Sequence, residues 1–109
     1  MIIAQRSLKL EVGGREIDVP VRIYLPVGRA DHWQCEYEIG WPAALRRSAA
    51  HGTDSIQALW LALRRVGAEL YTSEAHRSGK LKLERPGGGY GFPLAKSIRD
   101  LYEGDDLGM

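Results

Sequence analysis

The stretch from Thr53 to Leu70 constrains the fold more than any other part of this chain. Ile56, Leu59, Leu63, Val66 and Leu70 step by three and four, so on an α-helix they form one apolar stripe. Asp54 followed three residues later by Gln57 fits a capping box, with Thr53 as a second cap candidate. The pattern predicts a helix over about residues 54–72. Ala62 and Gly67 are small neighbours that would let this helix approach a sheet closely. Gln57, Arg64, Arg65 and Glu69 lie off the stripe.

Upstream of this helix the periodicity changes to two. Residues 2–12 and 15–25 read as a hairpin, with Ile17, Val19, Val21, Ile23 and Leu25 alternating against polar positions. Gly13-Gly14 is a two-residue loop suited to turns that need positive φ. That turn sets the register: Val12 opposite Arg15, Leu10 opposite Ile17, Leu8 opposite Val19, Ala4 opposite Ile23 and Ile2 opposite Leu25. Pro20 cannot donate to a ladder, so its strand should be an edge or carry a bulge. After a loop at 26–31, Trp33, Cys35, Tyr37, Ile39 and Trp41 alternate as a third strand. Residues 42–51 read either as a short fourth strand or as an irregular crossover. Downstream, Lys80 to Glu84 alternates as a strand, Pro86 to Gly89 is a turn and Tyr90 to Phe92 a short return. Pro93 opens a last helix with Leu94, Ile98, Leu101 and Tyr102 as its stripe, and Gly104 to Met109 is a polar tail expected to fray. The expected fold is α+β, one domain over residues 1–109. It has an antiparallel sheet whose first three strands meander, packed on one face by the long helix, with a C-terminal hairpin and short helix.

Gly52-Thr53-Asp54-Ser55-Ile56-Gln57-Ala58-Leu59, running on through Leu61-Ala62-Leu63, and the later Gly91-Phe92-Pro93 carry a resemblance. With the alternating strands before them, they resemble a family of small bacterial proteins known only as a domain of unknown function. The resemblance spans roughly residues 5–93 of the chain. It implies a sheet packed on one long helix, and it brings no catalytic residue to these positions.

Composition narrows the function classes. The chain has 109 residues, enough for one core without metal or disulfide staples. Its formal net charge is +1, without the basic excess that duplex binding by phosphate neutralisation usually requires. One cysteine excludes an intramolecular disulfide. The N-terminus is too briefly apolar for a secretory leader, and no run approaches the ~20 apolar residues of a membrane span. A cytoplasmic location is expected, with no membrane partner and no cofactor.

Each candidate for chemistry meets a plainer reading. Cys35 lies three residues from His32, but its parity matches Trp33 and Tyr37 on the apolar face, so it reads as a buried, inert thiol. His32, His51 and His76 have no ligand spacing, and no metal site is expected. Pro86 to Gly91 lacks both the phosphate-loop ending and the third glycine of a dinucleotide fingerprint, and reads as a flexible turn. Arg46 and Arg47, with His51 just before the helix start, form a candidate anion site. The pairs Arg46-Arg47 and Arg64-Arg65, with Lys80, Lys82 and Arg85, form a candidate nucleic-acid or phosphate patch, whose plainer reading is solvated surface. On the polar sheet face, Glu11 would stand opposite Glu16 and Lys9 opposite Asp18, with Glu36 and Glu38 on the same side. Like charges directly opposite weaken a ladder, so this acidic group is tolerated or used. Trp41 reads as core, and Trp60 as a flank of the helix stripe or a protruding anchor.

These features point away from an enzyme and towards a protein-binding module. In its sharpest form this is an immunity or antitoxin-like protein that occludes a toxin domain such as a nuclease. Glu11, Glu16, Asp18, Glu36 and Glu38 would engage the partner. The alternative is a small-ligand or nucleic-acid binder using Arg46, Arg47 and His51. Oligomeric state is not legible.

Overall fold

The alternating N-terminal segments pair as one long hairpin in a computed structural model that describes residues 1–109. β1 (Ile2–Val12) and β2 (Arg15–Tyr24) are antiparallel, joined by Gly13 and Gly14, both at positive φ. Leu8 faces Val19, Leu10 faces Ile17 and Val12 faces Arg15, the register that the two-glycine turn dictates. The register slips between Ala4 and Ile2, so Ile2 meets Tyr24 rather than Leu25.

β3 (Val27–Gly28) occupies part of the expected loop, and β4 (Trp33–Gly40) is the expected third strand. β4 pairs along its whole length with β5 (Leu45–Gly52), which settles the ambiguous segment as a strand. The other edge of β4 is shared by β2, through Val21 to Ile23, and β3, through Val27 and Gly28. β2 and β3 thus act as one strand broken at Leu25-Pro26. Pro20 lies where the β2–β4 ladder stops, with its ring beside Gly40; a Cβ there would fall 2.9 Å from Pro20 Cγ. The proline-bearing strand is therefore an edge only in its first half. Its second half is central, because pairing begins just past the residue that cannot donate.

α1 (Ser55–Tyr71) follows directly. Asp54 accepts from the Gln57 amide at 2.7 Å, and Gln57 Oε1 accepts from the Thr53 amide at 2.6 Å, so the box closes one residue further back than usual. The helix lies across β4 and β5. Its buried stripe is Ala58, Ala62, Val66 and Leu70, all fully buried, with Leu59 and Leu63 flanking. Ile56, expected in the stripe, is 77% exposed. The reason is close approach: Ala58 and Ala62 belong to the same packed core as Ala50 of β5, and small residues make that seam. Gly67 also serves close approach, but to the C-terminal segment: a Cβ there would fall 2.3 Å from the Pro93 carbonyl oxygen.

α2 (Glu74–Arg77) is one turn, and β6 (Leu81–Lys82) follows. The expected C-terminal hairpin does not form, since β6 pairs with β1 and residues 90–92 are not a strand. The expected last helix is instead a 3-10 turn over Lys96–Leu101, kinked at Ile98, followed by another over Gly104–Gly108. Tyr90, Phe92 and Leu94 are buried and complete the core beside α1. Arg6 on β1 stacks on the Phe92 ring and donates to the carbonyls of Tyr90 and Gly91 at 2.9 and 3.0 Å. The sheet has six strands with the helix on one face, an α+β fold whose opposite face no helix covers. β5 pairs on one side only; Arg65 of α1 donates to its Ala49 carbonyl at 2.8 Å. No helix is long and apolar enough to cross a membrane.

Candidate functional site

Strand parity decides which polar residues can meet on the uncovered sheet face. Arg22 on β2, Glu38 on β4 and Arg47 on β5 stand in one row across three strands. Glu38 is 5% exposed although it lies on the open face. The Tyr24 hydroxyl donates to it at 2.5 Å, Arg47 donates as well, and Arg22 lies at 3.6 Å. The Tyr24 hydrogen bond, backed by Arg47 and Arg22, holds its carboxyl below the usual range despite the opposing effect of burial. Glu36, one step along, faces Arg47 at 3.9 Å.

The other three carboxylates of the expected acidic site sit nearer the hairpin turn. Asp18 is ion-paired with Lys9, and Glu16 with Lys82 at 3.2 Å. Glu11 is opposite Glu16, as expected, and enters no ion pair. Asp18 and Arg22 are four residues apart on β2, about 13 Å along an extended strand. The acidic residues share one face but form two groups, each interleaved with cations.

The expected anion site does not assemble. Arg46 pairs opposite Ile39, on the helix side of the sheet, and donates to Glu69 of α1 at 2.8 Å. Tyr37 donates to the same carboxylate, and burial followed by that bond pushes its hydroxyl up. Arg47 belongs to the Glu38 row on the outer face. His51 lies at the far end of β5, opposite Gln34, with its ring 5.0 Å from that of His32. Alternation sends Arg46 and Arg47 to opposite faces, and the strand's length separates both from His51. The helix start already carries the Asp54 carboxylate.

Cys35 is fully buried, and burial pushes its thiol up, opposite to what a nucleophile needs. It donates to the Tyr24 carbonyl at 3.4 Å, while His32 contacts Asp31. No three His, Cys, Asp or Glu side chains converge as a metal would require.

One polar cluster escaped the sequence reading. Asp106, in the expected frayed tail, is 2% exposed. It accepts from the Tyr71 hydroxyl at 2.5 Å and from the amides of Tyr90 and Gly91, each at 2.8 Å. Burial, reinforced by Asp106, pushes the Tyr71 hydroxyl far up. His76 meets the Tyr90 hydroxyl beside it. Gly89 leaves room for the carboxylate, because a Cβ there would lie 2.5 Å from Asp106 Cγ. Arg85 holds Asp105 with two contacts of 3.1 Å. The glycine-rich loop, expected to be a flexible turn, thus cradles an anion, and the anion is the chain's own carboxylate. The available signal was glycine density beside an acidic tail, which gives no pairing on its own.

Fold and surface together define a small sheet-and-helix protein whose open sheet face and C-terminal tail carry polar side chains paired with one another. The chain belongs to DUF6968, a domain of unknown function, whose family model matches residues 4–94. Asp106 and both 3-10 turns lie beyond that match. No curated protein and no solved structure matches the chain.

Proposed function

We propose that this is a protein-binding module that docks through the open face of its sheet, acting as an immunity or antitoxin-like protein that masks a toxin domain such as a nuclease. One observation carries the reading: Glu11, Glu16, Asp18, Glu36 and Glu38 share the face that no helix covers. Lysines and arginines of the toxin exchange with Lys9, Lys82 and Arg47 for Asp18, Glu16 and Glu36. The exchange replaces exposed ion pairs, which are individually weak, with pairs dried by the interface. Glu11 needs no exchange, since it is unpaired. Glu38 is held from three sides and keeps the row in register rather than meeting the partner. Inhibition is steric, and charge matching sets the approach and the choice of partner.

The test is growth of cells expressing the product of the reading frame beside this gene, with and without this protein. The product should be toxic alone and harmless when the two are co-expressed. Glu11→Lys with Glu16→Lys should abolish rescue while leaving the thermal midpoint close to that of the parent. A harmless neighbour, or full rescue by the doubly reversed variant, overturns the proposal.

A further inference from the structure

On the side of the molecule away from the open sheet face, α1 and the C-terminal segment enclose a second surface of opposite character. A half-open groove of about 370 Å³ lies between Trp60 and Arg64 on one wall and Lys96 and Arg99 on the other, floored by Pro93 and Leu94. Trp60 is 51% exposed, and Ile56, one turn earlier on the same helix face, extends the apolar stripe beyond the groove. Elsewhere on the surface Lys9, Arg22, Arg46, Arg47, Arg77, Lys82 and Arg85 each hold a carboxylate. The three cations of the groove hold none, and no carboxylate side chain lines it. Three cations around an apolar floor that Tyr102 and Met109 complete, with an exposed tryptophan at the rim, are the complement of an acidic segment bearing an apolar anchor.

We infer that this groove docks an acidic linear segment of a protein partner, with one aliphatic or aromatic side chain seated on Pro93 and Leu94 against Trp60, and flanking carboxylates on Arg64, Lys96 and Arg99. Nucleic acid fits less well. Three cations are few for a phosphate backbone, and the stripe continues through Ile56 rather than through further charge. This site does not depend on the open sheet face and stands or falls separately from it.

The experiment is fluorescence anisotropy with a labelled peptide in which glutamates flank a Leu-Phe pair. Its controls are the same peptide with lysines for glutamates, an all-glutamate peptide and an oligothymidylate. The Leu-Phe acidic peptide should bind saturably and weaken with salt. Trp60→Ala and Arg64→Glu should each lower affinity by about tenfold or more, whereas Glu11→Lys should leave it unchanged. Trp60 and Arg64 carry no hydrogen bond of the fold, and circular dichroism checks that both variants stay folded. Absence of saturable binding overturns the inference. So does equal binding of the all-glutamate peptide, indifference to Trp60→Ala, or preference for the oligothymidylate.

Discussion

Removing the Asp106 carboxylate is the sharpest perturbation this fold offers. Asp106→Ala strips the acceptor from two buried donors, the Tyr71 hydroxyl and the Tyr90 amide, and from the half-buried Gly91 amide. Each donor left unsatisfied costs about 1–3 kcal/mol, and neighbouring losses do not add fully. Water entering from the tail side recovers part of the sum, so the expected loss is roughly 3–5 kcal/mol. Against a typical stability of about 5–15 kcal/mol this is a large fraction. Asp106→Asn retains one acceptor oxygen but turns an NH2 towards a backbone N–H, for a loss of about 2 kcal/mol. Urea unfolding followed by circular dichroism reads both; at a slope near 2 kcal/mol/M the alanine variant's midpoint should fall by about 2 M. Amide exchange at Tyr90 and Gly91 should accelerate in the same order. A stability change below about 0.5 kcal/mol with unaltered exchange at both amides would refute the assignment of Asp106 as the tail's anchor.

Two further outcomes follow from single contacts. Glu38 has a folded pKa below its ordinary unfolded value, so its stabilisation is complete above that value and fades as pH falls through the depressed one. The stability difference between the parent and Glu38→Gln should therefore shrink on acidification below about pH 5, and a constant difference in urea titrations would contradict the Tyr24, Arg22 and Arg47 arrangement. Gly67→Ala gains about 1 kcal/mol of helix propensity but forces a methyl against the Pro93 carbonyl, a backbone atom that cannot swing aside. A net loss of about 1–2 kcal/mol is expected in thermal melts, and a stabilised variant would show that α1 does not seat there.

What was legible in the sequence was what local periodicity encodes. The hairpin register followed from Gly13-Gly14 and one alternating face, because a slip by one residue would expose every apolar side chain. The cap at Asp54 and the span of α1 followed from spacing alone. The stripe is borne out at Val66 and Leu70 but not in its first turn, because bulk does not decide burial: Ile56 is large and exposed, while Ala58 and Ala62 are small and form the seam. β5 was unreadable because Arg46 and Arg47 hide its alternation, and Glu69 and Glu38, which explain them, lie on other elements. The acidic site was legible as a face, since parity gives that, but the division into two cation-laced groups depends on partners such as Lys82 that only the fold supplies. The C-terminal anchor was not legible, because glycine density beside an acidic tail names no pairing between the two.

Arg65, reaching from the helix to the Ala49 carbonyl, couples two hazards that are usually separate. While α1 is seated, this side chain is a guard on one outward carbonyl of the last ribbon of the sheet. If heat or mutation lifts the helix, the guard departs with it and leaves a bare row of amides flanked by serine and alanines. Loss of helicity and growth of intermolecular aggregates should therefore begin together on heating, with recovery falling as protein concentration rises.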